Sequence, residues 1–160
     1  MKKVILALAL LAVTGLASAA EVGGFWNWEQ GTNGHTDQAV GVSVGDKLGA
    51  IDSSLDKVGV QATFDRSTSG SVNTNRYTAT ASYDVFTFHG VTVDVRAGLA
   101  YLDPQSAHLS NGGAGVAGFG LSYPVTKQVA LGVDYAYQKG NNITKEYNGN
   151  IITTGVKYSF

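Results

Sequence analysis

The chain has no cysteine, so disulfides and thiolate metal sites are excluded from the start. It has two prolines, and charged residues make up only 14% of it, well below the usual quarter. A disordered chain would carry more charge and fewer aromatics than the 10% found here. No basic patch or stripe occurs, which argues against nucleic acid as a partner. Long apolar runs are missing too. Val4 to Val13 spans about ten residues, half of what a transmembrane helix needs.

That short apolar run has a different meaning. Lys2 and Lys3 precede it and Ala17-Ser18-Ala19 follows it, the three-part layout of a secretory signal peptide. Residues 1–19 are therefore expected to be removed before Ala20, leaving a single domain over 20–160. The cut removes Lys2 and Lys3, so 9 Lys and Arg remain against 12 Asp and Glu, a net charge of −3.

What the mature region does have is alternation. Eight segments show period-two patterning: 21–30, 39–47, 56–66, 75–86, 91–102, 114–123, 129–138 and 150–160. In the fifth, Val91, Val93, Val95, Ala97, Leu99 and Tyr101 alternate with Thr92, Asp94, Arg96, Gly98 and Ala100. Only Val116 falls on the wrong face of its segment. The connections alternate in length as well. Those at 31–38, 67–74, 103–113 and 139–149 are long and rich in Gly, Asn, Ser and Thr, and those between are short. Both Pro104 and Pro124 fall in connections, where no ladder donor is required. The pattern predicts an all-β fold, an eight-stranded antiparallel up-and-down barrel.

Alternation alone does not say which face is inside, and a soluble lipocalin-like periplasmic carrier would bury the apolar one. Three features favour the reverse. The polar face is full of Gly, Ala, Ser and Thr, suited to the interior of a narrow barrel that side chains barely fill. Its charges nearly balance, with Glu29, Asp65, Asp84, Asp94 and Asp134 against Lys57, Arg76, Arg96 and Lys157. Buried ions must pair, since an isolated one costs several kcal/mol. Lastly, aromatics sort by depth. With the N-terminus periplasmic, Trp26, Trp28, Phe64, Tyr77, Tyr101, Tyr135 and Tyr137 lie toward the outer ends. Tyr83, Tyr123, Tyr158 and Phe160 lie toward the inner ends, so two interfacial girdles are expected. Ten residues at ~3.3 Å rise and ~40° tilt span roughly 25 Å, the height of a lipid-facing band.

The mature chain resembles the small outer-membrane barrel superfamily, the OmpA/OmpX and opacity-type porin-like proteins. The most specific piece is the C-terminal series Ile152, Thr154, Val156, Tyr158 and Phe160, alternate apolar residues closing on an aromatic. The resemblance implies location in the bacterial outer membrane, contact with membrane lipid and lipopolysaccharide, and biogenesis through periplasmic chaperones and the barrel-assembly machinery. Fold alone says little about activity. Eight strands leave too narrow a lumen for general diffusion, so a structural or surface-interaction role through the four long loops is expected.

Catalytic signals are sparse. His108-Leu109-Ser110-Asn111 resembles the His-x-Ser-Asn motif of PagL-type lipid A deacylases, which would make His108 the base and Ser110 the nucleophile. The acid that family carries about a dozen residues later is missing, since Val116 to Tyr123 contains none. Gly113 to Gly118 formally matches a dinucleotide fingerprint but leads into a strand, not a helix. His35, His89 and His108, with Asp37 and Asp103, lack ligand spacing, so neither a metal nor a cofactor is expected. Structurally, Arg96 stands out. Lying near mid-barrel beside Asp94, within reach of Asp84 or Asp134, it is expected to anchor a lumen ion network that also draws on Glu29.

Overall fold

The computed structural model describes residues 21–32, 34, 36–50, 52–67, 73–105, 111–141 and 147–160. The expected signal peptide lies outside them. Eight strands form one closed antiparallel barrel in sequence order: β1 (Glu21–Gly31), β2 (Thr36–Lys47), β3 (Val58–Ser67), β4 (Thr74–Phe88), β5 (Val91–Pro104), β6 (Gly112–Pro124), β7 (Val129–Gly140) and β8 (Gly149–Ser159). The seam pairs β1 with β8 from Glu21↔Ser159 to Gly31↔Gly149, so the sheet has no free edge. A sheet without edges can satisfy its backbone donors and acceptors internally, the condition for strands to cross hydrocarbon.

The apolar face points outward. Val95, Leu99, Phe119, Val133 and Ile152 are all exposed, whereas Asp94, Asp65 and Arg76 are buried. Val116, which breaks the alternation of its segment, points into the lumen and packs on a small cluster of Ala100, Leu102 and Ala114. Leu102, unplaced by the alternation, is one of the most buried side chains in the molecule.

Three sequence expectations need correction. The strands run further outward than the apolar alternation does. The outer connections shrink from 31–38, 67–74, 103–113 and 139–149 to 32–35, 68–73, 105–111 and 141–148. Backbone pairing continues above the lipid band, where both faces meet polar surroundings and alternation loses its cause. Pro104 consequently becomes the last residue of β5 at its outer end, and Pro124 is the last residue of β6 at its inner end; a missing N–H is harmless at either place. Lys57 is exposed in the turn before β3, outside the lumen.

The third correction concerns β4, where the register shifts between Asp84 and Phe86. This bulge at Val85 resets the faces, so that Phe86 and Phe88 join Tyr83 outside. β4 then turns tightly into β5 through His89 and Gly90, with φ of 50° and 83°. Two consecutive left-handed residues are the pattern of a type I′ hairpin, whose twist matches the strands it joins.

Candidate functional site: the barrel lumen

Two arginines organise the interior. Arg96 on β5 donates from Nε and Nη2 to Asp94 at 2.7–2.9 Å and from Nη1 to Asp134 of β7 at 2.7 Å. Register places Asp94, Gly120 and Asp134 in one row across β5, β6 and β7. Gly120 makes the arrangement possible. A Cβ there would lie 2.6 Å from Asp94 Oδ2 and closer still to Asp134 and Arg96.

Arg76 on β4 forms the second cluster. Its Nε and Nη2 grip both oxygens of Asp65 at 3.0 Å, and Nη2 lies 2.5 Å from Glu29 Oε1. Gln138 adds an acceptor to Arg76 Nη1 at 3.4 Å and donates to the Tyr147 carbonyl at 2.9 Å. Asp65 and Arg76 are a direct cross-strand pair, so the hairpin itself brings them together. At the seam, Thr153 Oγ1 donates to buried Asn27 Oδ1 at 2.6 Å.

The residues expected to form one network are thus divided among three. Asp94 and Asp134 hold Arg96, while Glu29 belongs to Arg76. Asp84 bonds Lys47 Nζ at 2.5 Å. Asp84 and Asp94 are register partners, so two like charges sit side by side and each needs its own cation. Arg96 is already spent on Asp94 and Asp134, and Lys47 reaches Asp84 from β2.

The sequence did not single out Arg76 as a hub, nor Lys47 and Gln138, whereas Gly120 is one of the lumen-face glycines that leave room inside. One signal was available. Counting symmetrically outward from the 68–73 connection pairs Asp65 with Arg76 on the lumen face. Asp46, at the inner end of β2, was also missed. It is buried, and neither carboxylate oxygen has a hydrogen-bond partner.

The clusters subdivide the lumen. One cavity of about 90 Å³ lies between Arg76 and Arg96, and another of about 80 Å³ lies at the inner end beside Lys47 and Asp84. Arg96, Gln61, Thr80 and Lys157 line both and form the partition. Chemically, this arrangement fixes charge within the lumen and leaves a small cavity on each side of Arg96. Among the described residues no group of three or more His, Asp or Glu could hold a metal.

Outside, neighbouring aromatics contact one another. Phe64 and Tyr77 have ring centroids 5.1 Å apart, Phe119 and Tyr135 5.5 Å, and Tyr158 and Phe160 5.1 Å. Tyr135 Oη donates to Asn150 Oδ1 at 2.7 Å. Trp26, Trp28, Tyr83, Tyr101, Tyr123 and Tyr137 are likewise exposed on the barrel's exterior. His108 and Ser110 lie outside the described residues, as does His35. His89 occupies the β4–β5 turn, edge-on to Phe88.

Solved structures share this architecture. The N-terminal β-barrel domain of Pseudomonas aeruginosa OprF superposes with a TM-score of 0.71 at 20% identity, covering 89% of this chain and 97% of that one. OprG from the same organism gives 0.68 at 12% identity, with 91% and 97% covered. Ail, the attachment invasion locus protein of Yersinia pestis, in complex with the heparin analogue sucrose octasulfate, gives 0.58 at 12% identity, with 89% and 98% covered. No curated protein matches the chain. At these identities the likeness establishes the fold. The sequence itself matches the model of the outer membrane protein beta-barrel domain over residues 4–160, and the chain belongs to that family.

Proposed function

We propose that this protein is a structural and surface-interaction component of the outer membrane, without a wide pore. One observation carries the reading: Arg96 bridges Asp94 and Asp134 and leaves only small cavities on either side. Solutes larger than water have no path past paired ions that are costly to separate in a low-dielectric tube. The working surface is then the outer connections 32–35, 68–73, 105–111 and 141–148, presented to lipopolysaccharide or to a ligand in the medium. Support for such a role comes by analogy from Ail, whose solved complex contains a heparin analogue.

Export follows from the signal sequence, and the mature protein should begin at Ala20. Assembly draws on the C-terminal series Ile152, Val156, Tyr158 and Phe160, with Phe160 strongly exposed for recognition by the assembly machinery. Planar-bilayer recording tests the central claim. Wild-type barrels should show no stable large conductance, and a sugar-permeable channel would overturn the reading. The deacylase alternative is separated by incubating the protein with lipid A, wild type against Ser110→Ala. Loss of an acyl chain with the wild type alone would favour it.

A further inference from the structure

The exterior of the barrel is unevenly filled. On β7, β8 and β1 the outward positions carry large side chains such as Leu131, Val133, Ile152 and Trp28. Across β3 and β4 they become small. One register row runs Val44, Ala62, Ala79, Leu99. The next row outward runs Val42, Phe64, Tyr77, Tyr101. The two alanines therefore form a floor between Val44 and Leu99, and the tilted ring pair Phe64 and Tyr77 forms a raised lip on the outer side. The resulting outward-facing apolar groove has a volume of about 440 Å³, several times either lumen cavity.

A cation stands just beyond that lip. The row above the aromatics runs Val40, Arg66, Asn75, Asp103, and Arg66 is exposed on the outer face. Among the described residues no carboxylate pairs with it. Asp103, two strands away in the same row, instead accepts from Gln105 Nε2 at 3.3 Å. An unpaired guanidinium above an apolar slot has two complementary needs: a phosphate or similar anion for its planar fork, and hydrocarbon for the slot.

We propose that this groove seats an acyl chain of a phosphorylated lipid of the outer leaflet, with the lipid phosphate on Arg66. The site rests on the outward-facing reading of the barrel and gives the expected lipid contact a definite address. A second copy of the chain is the competing occupant, and to pair with Arg66 it would have to offer its Asp103, which already accepts from Gln105. The small side chains supply depth, and the aromatic lip sets where chain ends and headgroup begins.

The test uses full-length mature protein in detergent micelles, with lipid A and its dephosphorylated form as probes and native mass spectrometry as readout. Wild type should retain lipid A about tenfold more than the dephosphorylated form, a charge-assisted preference. Arg66→Gln should abolish that preference while leaving dephosphorylated binding unchanged. Ala79→Trp, which fills the slot, should lower retention of both. Val133→Trp, on the opposite side of the barrel, should change neither. All variants must first show the faster migration of unheated sample that marks a folded barrel. Failure of the wild type to do so would strike the membrane reading itself rather than the site. The proposal is overturned if Ala79→Trp retains both lipids like wild type, or if Arg66→Gln keeps the phosphate preference. It is equally overturned if the groove variants alter only a dimer.

Discussion

Gly120 lies directly beneath the guanidinium of Arg96, in a row where any side chain would collide with the ion cluster. The absence of one methyl group on β6 is therefore a condition for the contacts of β5 with β7. Glycine here provides space rather than conformational freedom. Gly120→Leu should push Arg96 off Asp94 and Asp134 and cost about 1–3 kcal/mol, the usual penalty for overpacking. A lower urea midpoint in lipid, with added open-channel events in bilayer recording, is the expected result. A wild-type midpoint would mean that the cluster shifts at little cost.

Arg76 should matter at least as much to stability. Asp65 is 2% exposed and depends on Arg76 for both of its oxygens. Arg76→Leu strands that carboxylate and should destabilise by about 3–5 kcal/mol. Adding Asp65→Leu should restore much of the loss, because the unpaired charge is then removed as well. The midpoints of wild type, Arg76→Leu, Asp65→Leu and the double variant form a double-mutant cycle. Additive losses would show that the pair is not coupled.

Arg96→Leu follows the same logic in the inner cluster and should cost a few kcal/mol. Unlike Arg76→Leu, it also removes the partition between the two cavities, so ion leakage should rise. If the urea midpoint and the leakage both stay at wild-type values, Arg96 does not hold the lumen closed.

On the exterior the cost has another origin. Val133 is about half exposed and faces outward near the middle of β7, one residue from lumen-facing Asp134. Val133→Arg should cost about 2–4 kcal/mol in a bilayer, the expense of placing a cation against hydrocarbon. The same change at Gln30, at the outer end of β1, should cost about 0–1 kcal/mol. Equal penalties at the two depths would contradict the transmembrane orientation.

At the inner end, Asp52 accepts the Ser54 amide at 2.8 Å, and that bond holds its carboxyl below the ordinary value of 3.8. A depressed folded value stabilises the turn above the unfolded pKa, and that support fades as pH falls through the folded one. Carboxyl titration by NMR should give Asp52 a midpoint below 3.8. Protection of the Ser54 amide should fall in the same pH range, and Asp52→Asn should remove that dependence. A midpoint at or above the ordinary value would show that the hydrogen bond does not form.

Much of this was legible from composition and spacing. Strict alternation in β5 follows from a strand between two different solvents, and any change of face is visible at once in Val93, Asp94 and Val95. The Asp65–Arg76 pair was readable by counting outward from its hairpin, since an antiparallel ladder fixes partners once the turn is placed. The bulge at Val85 was not readable, because Val85 and Phe86 are both apolar and suit either register. Nor was the assignment of Asp84 to Lys47, which depends on where Arg96 has already been used. The groove over Ala62 and Ala79 was equally hidden, because alanine satisfies an apolar pattern as well as leucine does.

Sequence by itself settled the number of strands, the face that most strand residues take and the need for paired charge inside. All three follow from local periodicity and from the expense of unpaired groups in an apolar medium. Tertiary structure alone decided which carboxylate meets which cation, and where the outer wall is thin. Both depend on how neighbouring strands align around a closed circle. That alignment brings together residues from different strands, and no stretch of one strand encodes it.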